Sequence, residues 1–225
     1  MLAGPLNQYF YPKLVAARSD PVEALSVGRR FQVAISLAVT APSVVLVCFA
    51  PEVLAVWLPH TSDIDVIAPI AQLLMMATAF GATGYLPTAW LLASGDRLWL
   101  ARLSIAATML VIGLLLLAGL RQDIMMVAAV YAAYHSIICL LLWFRMLRSW
   151  LWRKASMDLV LACWIGPVLA VGICTALVSA VASGYPVAGW VQVLAASIAG
   201  ALATVMVACV WWFCYPRMLN RLQRH

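Results

Sequence analysis

The chain has 225 residues, of which 66% are hydrophobic and only 10% are charged, and its mean hydropathy is +1.00. Soluble domains carry about 25% charged residues, so this composition excludes a soluble globular protein and indicates an integral membrane protein. The formal net charge is +6, and because the basic residues lie between apolar segments, we attribute it to orientation in the bilayer rather than to nucleic-acid binding.

The first segment, MLAGPLNQYFY, carries no charge but is too short to cross a bilayer. A spanning helix needs about 20 residues. Lys13 and Arg18 follow this apolar stretch, whereas a signal peptide has its basic residues in front. We therefore expect the lower half of a helix whose upper half is absent, and a chain that is partial or depends on a partner.

Six long apolar segments follow, and each is long enough to span a membrane as a helix. They cover residues 31–50, 66–93, 98–119, 124–144, 157–182 and 187–215. Their continuous apolar character disfavours a β-barrel, whose strands alternate polar and apolar residues. The predicted fold is all-α, a polytopic membrane helical bundle with six full transmembrane helices plus a partial N-terminal helix.

The loops between these segments alternate strictly between basic and non-basic. Of the 14 Lys and Arg residues, all except Arg121 fall in the set of loops on one side. The positive-inside rule makes that side cytoplasmic and places the C-terminus there as well. Trp57, Trp150 and Trp152 lie near segment ends, and we expect them at the membrane interface, where amphipathic rings are enriched.

The first full span carries a stripe of polar residues. Gln32, Ser36, Thr40 and Ser43 recur at helical spacing, so they share one face. Such a stripe is typical of interhelical hydrogen bonding, and it is equally typical of the wall of a hydrated cavity. The sequence favours neither interpretation over the other.

The second span contains the features of a broken helix. Gly81, Gly84 and Pro87 predict an interruption, because proline removes a backbone donor. Gln72 and Thr83 lie on one face of this span. Broken helices in transporters often mark moving or substrate-contacting segments, but a static kink repacked by neighbouring helices gives the same pattern. Both interpretations stay open.

His135 is the strongly titratable side chain predicted nearest the middle of the membrane, and Tyr131 lies one turn before it. A histidine inside a membrane is by default a candidate functional residue. We favour a packing role over a functional one, because no carboxylate partner is visible in the spans.

No catalytic, metal-binding or cofactor-binding motif is present. The six cysteines lie in apolar segments without a CxxC pair, and the three histidines are scattered. We place no charged residue in the middle of a span, which disfavours an ion-coupled transporter. The sequence therefore predicts neither an enzyme nor a bound metal or cofactor.

Three motifs occur in a recognisable order. PLNQYFYPKLVAARSD ends one helix, APEVLAVWLP ends the next, and LLASGDRLWLARL closes a third. In this order they resemble the C-terminal half of polysaccharide (O-antigen or exopolysaccharide) flippases of the multidrug/oligosaccharidyl-lipid/polysaccharide exporter superfamily. The resemblance covers residues 1–148 as a partial C-terminal lobe. Residues 149–225 then correspond to a C-terminal transmembrane hairpin and a basic cytoplasmic tail.

This resemblance implies two six-helix lobes around a central cavity in the bacterial inner membrane. Alternating access would export a lipid-linked oligosaccharide for polysaccharide biosynthesis. The implied partners are that glycolipid, membrane lipids and a missing N-terminal lobe or partner chain, but no nucleic acid. The candidate cavity residues are Gln32, Ser36, Thr40, Gln72, Thr83, Tyr131 and His135.

Two alternative functions remain. One is a cation-coupled multidrug exporter of the same superfamily, which would favour an acidic residue inside the cavity. The other is a non-transporting membrane scaffold in an envelope-glycan assembly complex, which the lack of mid-membrane charge and of a second lobe favours over a complete transporter.

Overall fold

The computed structural model describes residues 3–58 and 63–153, together with a few isolated positions between 172 and 209. Every regular element within residues 3–58 and 63–153 is helical, which confirms the all-α prediction. The two predicted spans at 157–182 and 187–215 lie outside the described residues apart from those isolated positions.

Four helical segments in the described part are long and apolar enough to cross a membrane. They are Pro21–Cys48, Ile64–Ala93, Arg97–Leu120 and Ile124–Met146. These correspond to the first four predicted spans. Their length and apolar composition indicate a membrane protein, and a count of six spans rests on the sequence pattern.

The N-terminal region forms two helices, α1 (Ala3–Ala17) and α2 (Pro21–Ile35). The Oδ1 atom of Asp20 accepts hydrogen bonds from the backbone N–H groups of Val22 and Glu23, at 2.9 and 3.2 Å. This cap satisfies donors at the first turn, and Pro21 suits the first helical position. The first span therefore begins about ten residues earlier than the predicted start at residue 31.

A π-helical turn, Ser36–Thr40, interrupts the first span before α3 (Ala41–Cys48). Pro42 lies two residues after this turn and has no N–H to donate to the carbonyl of Ala38. A widened turn at this point is one of the recognised ways in which a helix accommodates such a defect. After a break at Phe49, the short helix α4 (Ala50–Trp57) completes this part of the chain.

The second span consists of α5 (Ile64–Thr83) and α6 (Tyr85–Ala93), separated at Gly84. At the break, the Gly84 N–H donates to the Gly81 carbonyl at 3.0 Å, a tighter turn than the α-helix has. Pro87 removes the donor that would otherwise pair with the carbonyl of Thr83. The predicted interruption at Gly81, Gly84 and Pro87 is confirmed.

A glycine turn reverses the chain after α6. Gly95 has φ +90°, which a residue with a Cβ rarely adopts. The Gly95 and Asp96 N–H groups donate to the carbonyls of Leu92 and Leu91, at 3.2 and 2.9 Å, the pattern of a Schellman motif. The long helix α7 (Arg97–Leu120) follows at once.

The turn between α7 and α8 (Ile124–Met146) is equally short. Asp123 caps α8 by accepting a hydrogen bond from the Met126 N–H at 3.0 Å. Such short connections make neighbouring helices antiparallel. Arg145, near the end of α8, then lies beside the α6–α7 turn and forms a 2.7 Å ion pair with Asp96.

Packing is uneven across the bundle. The most extensive contact in the described part is between α5 and α8, and α1 packs closely on α2. The main core cluster contains Leu14 of α1, Phe31 and Ile35 of α2, Leu86 of α6, and Trp152 beyond α8. Most side chains of α7, by contrast, are exposed with respect to the described residues.

Candidate functional site

The polar stripe of the first span is buried inside the protein. Gln32 is 0% exposed, Ser36 and Thr40 are each 1% exposed, and Ser43 is 5% exposed. The shared face predicted from their spacing therefore points toward other helices and away from lipid. This burial makes the stripe the strongest candidate site in the described part of the chain.

Two members of the stripe are unsatisfied. Both side-chain amide atoms of Gln32 and the hydroxyl of Thr40 lack a hydrogen-bond partner among the described residues. A buried polar group without a partner costs about 1–3 kcal/mol. Such groups are normally satisfied by protein, water or a ligand. The hydrated-cavity interpretation of Gln32 and Thr40 stays a prediction.

Arg29 extends the stripe toward the basic face of the protein, and the sequence reasoning missed it. It was assigned to a loop, but α2 begins at Pro21, so Arg29 lies roughly 12 Å inside the helix. Its side chain is only 2% exposed. The spacing of three residues between Arg29 and Gln32 was the available signal. The predicted span begins only at residue 31, and Arg29 therefore falls outside it.

Two contacts fix how the first span lies against the second. A Cβ atom added at Gly28 would be 3.4 Å from Cδ1 of Leu86, and the Nε2 atom of Gln72 donates to the Val47 carbonyl at 2.9 Å. The two spans are therefore antiparallel, and the stripe lies at the level of the Gly84 break. Consistent with this, the π-helical turn packs against α5.

Gln72 has a specific structural partner rather than a free cavity position. The carbonyl of Val47 would normally pair with the N–H of residue 51, but that residue is Pro51. The Gln72 side chain replaces the lost donor at 2.9 Å. In this conformation Gln72 joins the second span to the α3–α4 break, well away from Gln32.

Thr83 is fully buried at the helix break. Its hydroxyl donates to the Phe80 carbonyl at 2.8 Å and lies 3.0 Å from Sγ of Cys139 on α8. Unlike Gln32, it is satisfied. It stabilises the region where α5 ends, at the same level as the stripe.

His135 and Tyr131 lie on α8, against another face of α5. The ring of His135 contacts Gly81, where an added Cβ would be 3.0 Å from Nδ1. Tyr131 and His135 are stacked edge to face with their centroids 4.4 Å apart. These contacts place the His135 ring between Gly81 and Tyr131, and the packing role that the sequence favoured stays a prediction.

The described residues therefore form a helical bundle with a buried polar stripe beside two irregular helices. Within those residues, no group of three His, Cys, Asp or Glu side chains is placed to hold a metal ion. No protein-family model matches the chain, and no curated protein or solved structure shows significant similarity to it.

Proposed function

We propose that this chain belongs to a membrane transporter that exports lipid-linked oligosaccharide by alternating access, working with a second helical lobe in the bacterial inner membrane. The observation that carries the proposal is the buried stripe in which Gln32 and Thr40 have no hydrogen-bond partner among the described residues. The order of the three sequence motifs supports the same class.

The chemistry of the stripe suits a sugar. A glutamine amide and a threonine hydroxyl each offer both a donor and an acceptor without a charge. Sugar hydroxyl groups are also donors and acceptors, so they can satisfy Gln32 and Thr40 while passing through an otherwise apolar interior. Ser36, between them on the same face, continues the path.

The backbone beside the stripe supports movement. π-Helical turns are frequent at functional sites, and broken helices in transporters often line the substrate pathway. Here the turn Ser36–Thr40 lies against α5, close to the level of its break at Gly84. Two adjacent irregularities allow the halves of both spans to tilt without breaking a regular helix.

Photocrosslinking in living cells tests the proposal. A small diazirine amino acid is placed at Thr40, and a second chain carries it at Met109, which is 70% exposed on α7. We expect polyprenyl-linked glycan adducts from position 40 and ordinary phospholipid adducts from position 109. Protease protection verifies that both chains insert normally.

The proposal is contradicted when position 40 yields no glycan adduct while position 109 still labels phospholipid. A photoreactive cationic drug captured at position 40 instead would favour the multidrug exporter. Adducts only with other envelope-assembly proteins would favour the scaffold.

A further inference from the structure

Trp152 occupies an unexpected place for a tryptophan at the end of a span. The chain leaves α8 at Met146, turns through residues 147–149, and is helical again over residues 150–153. Trp150 is 66% exposed, as its position near the interface predicts, but Trp152 is 0% exposed. Two residues apart on a helical turn, the two rings point in nearly opposite directions.

The buried ring packs against α2 and α6. Its centroid lies 5.2 Å from that of Trp90 on α6, in an edge-to-face arrangement. It packs so closely on Gly28 of α2 that a Cβ atom there would overlap Cη2 of the indole. The absence of a side chain at Gly28 therefore leaves the space that the Trp152 ring occupies.

Gly28 lies one helical turn before Gln32 and next to Arg29. Trp152 therefore packs on the first span one turn before Gln32, at the end of the polar stripe that is nearest the basic loops.

The indole is not fully satisfied in this position. Its Nε1–H is buried and has no hydrogen-bond partner in the part of the chain that the structure describes. A tryptophan N–H normally finds a partner when buried, and at a membrane interface it finds water or headgroups. This gives the ring a second favourable environment, close to that of the neighbouring Trp150.

We propose that Trp152 is a movable plug that closes the polar stripe at the face carrying the basic loops. The inference rests on the proposed function, because it assigns a gate to the same stripe. In the described conformation the plug is inserted and that side is closed. Withdrawal of the ring to the interface opens the stripe toward the basic loops and gives its N–H a partner.

Cysteine accessibility tests the plug without any transported substrate. Ser36→Cys, a nearly isosteric change, provides one thiol in a chain whose six native cysteines are replaced. A small cationic methanethiosulfonate is applied separately to right-side-out and inverted vesicles. Adding Trp152→Ala should raise labelling about tenfold from the basic face only, as expected for a population shift toward the open state.

Gly28→Ala provides an independent variant, because its methyl group displaces the same ring while keeping it in the chain. We expect the same one-sided gain, with no further gain when Gly28→Ala and Trp152→Ala are combined. Trp150→Ala is the matched control and should leave labelling unchanged.

Unchanged labelling in both Trp152→Ala and Gly28→Ala overturns the plug, and so does an equal rise from both faces. A one-sided gain without glycan crosslinks at Thr40 would retain the plug and reject the proposed substrate. Glycan crosslinks at Thr40 without a one-sided gain in labelling would retain the proposed substrate and reject the plug.

Discussion

The first span and α7 are both apolar enough to cross a membrane, yet they are used differently. Of the most apolar stretch of each, 41% is buried inside the protein in the first span and 6% in α7. The first span contains a π-helical turn, whereas α7 is one uninterrupted helix. Hydropathy alone does not distinguish a helix that is largely buried in the bundle from one that is largely exposed.

Their small and polar residues show the same contrast. Gln32 and Ser36 on the first span are buried, while Ser104 and Thr108 on α7 are exposed relative to the described residues. The difference lies in what surrounds each residue, because the residue types are similar. The buried polar residues are therefore the ones that can respond measurably to substitution.

The largest expected effect comes from removing the packed indole. Trp152→Ala should destabilise the protein by about 3–5 kcal/mol, because it leaves a cavity between α2 and α6. Trp150→Ala should change stability little, since that ring is mostly exposed. Unfolding in mixed micelles of sodium dodecyl sulfate and a mild detergent measures both. Equal losses in the two variants would remove the distinction between packed and exposed regions.

The next effect compares two glycines. Gly81→Leu should cost about 1–3 kcal/mol by overpacking, because the added side chain meets His135. Gly113→Leu on α7 should be neutral or slightly stabilising, since nothing in the described part of the chain lies within 4 Å of its Cβ position. The same unfolding measurement applies. A double variant with His135→Ala should recover part of the loss at Gly81.

A gain in stability is expected at the polar stripe. Gln32→Leu removes a buried, unsatisfied amide and should stabilise the isolated protein by about 1–2 kcal/mol. The same variant should reduce glycan crosslinking at Thr40, because the path loses a polar group. Stability is read from micelle unfolding and crosslinking from glycan-specific detection. A loss of stability would indicate that Gln32 is paired in the membrane and serves packing.

The smallest effect concerns the second glutamine. Gln72→Leu should destabilise the protein by about 1 kcal/mol, because the Val47 carbonyl loses its donor at the Pro51 break. The sign is opposite to that at Gln32, although the substitution is the same. Micelle unfolding of the two variants side by side gives the comparison. Two changes of equal sign would mean that the two glutamines have similar environments.

Much of the fold was predictable from local signals. The first four spans, the break at Gly84 and the reversal at Gly95 follow from apolar length and from the backbone properties of glycine and proline. The start of the first span was misplaced, because the polar segment 21–30 conceals a helix that Asp20 caps. The same error hid Arg29 from the predicted site.

For the candidate site, the sequence could predict only which residues share one face of the first span. Gln32, Ser36 and Thr40 were recognised by their period, and their burial agrees with it. Their period could not distinguish Gln32, which has no hydrogen-bond partner in the described part of the chain, from Gln72, which pairs with a distant carbonyl. Hydrogen-bond partners 25 residues apart in the chain are decided by packing.

The sequence by itself determined that the chain forms long apolar helices and which helix faces are polar, because hydropathy and periodicity are local properties. Only the tertiary structure decided which polar face is enclosed and that Trp152 rests on Gly28. Both depend on which helices meet, and that choice is made by shape complementarity between segments far apart in the chain.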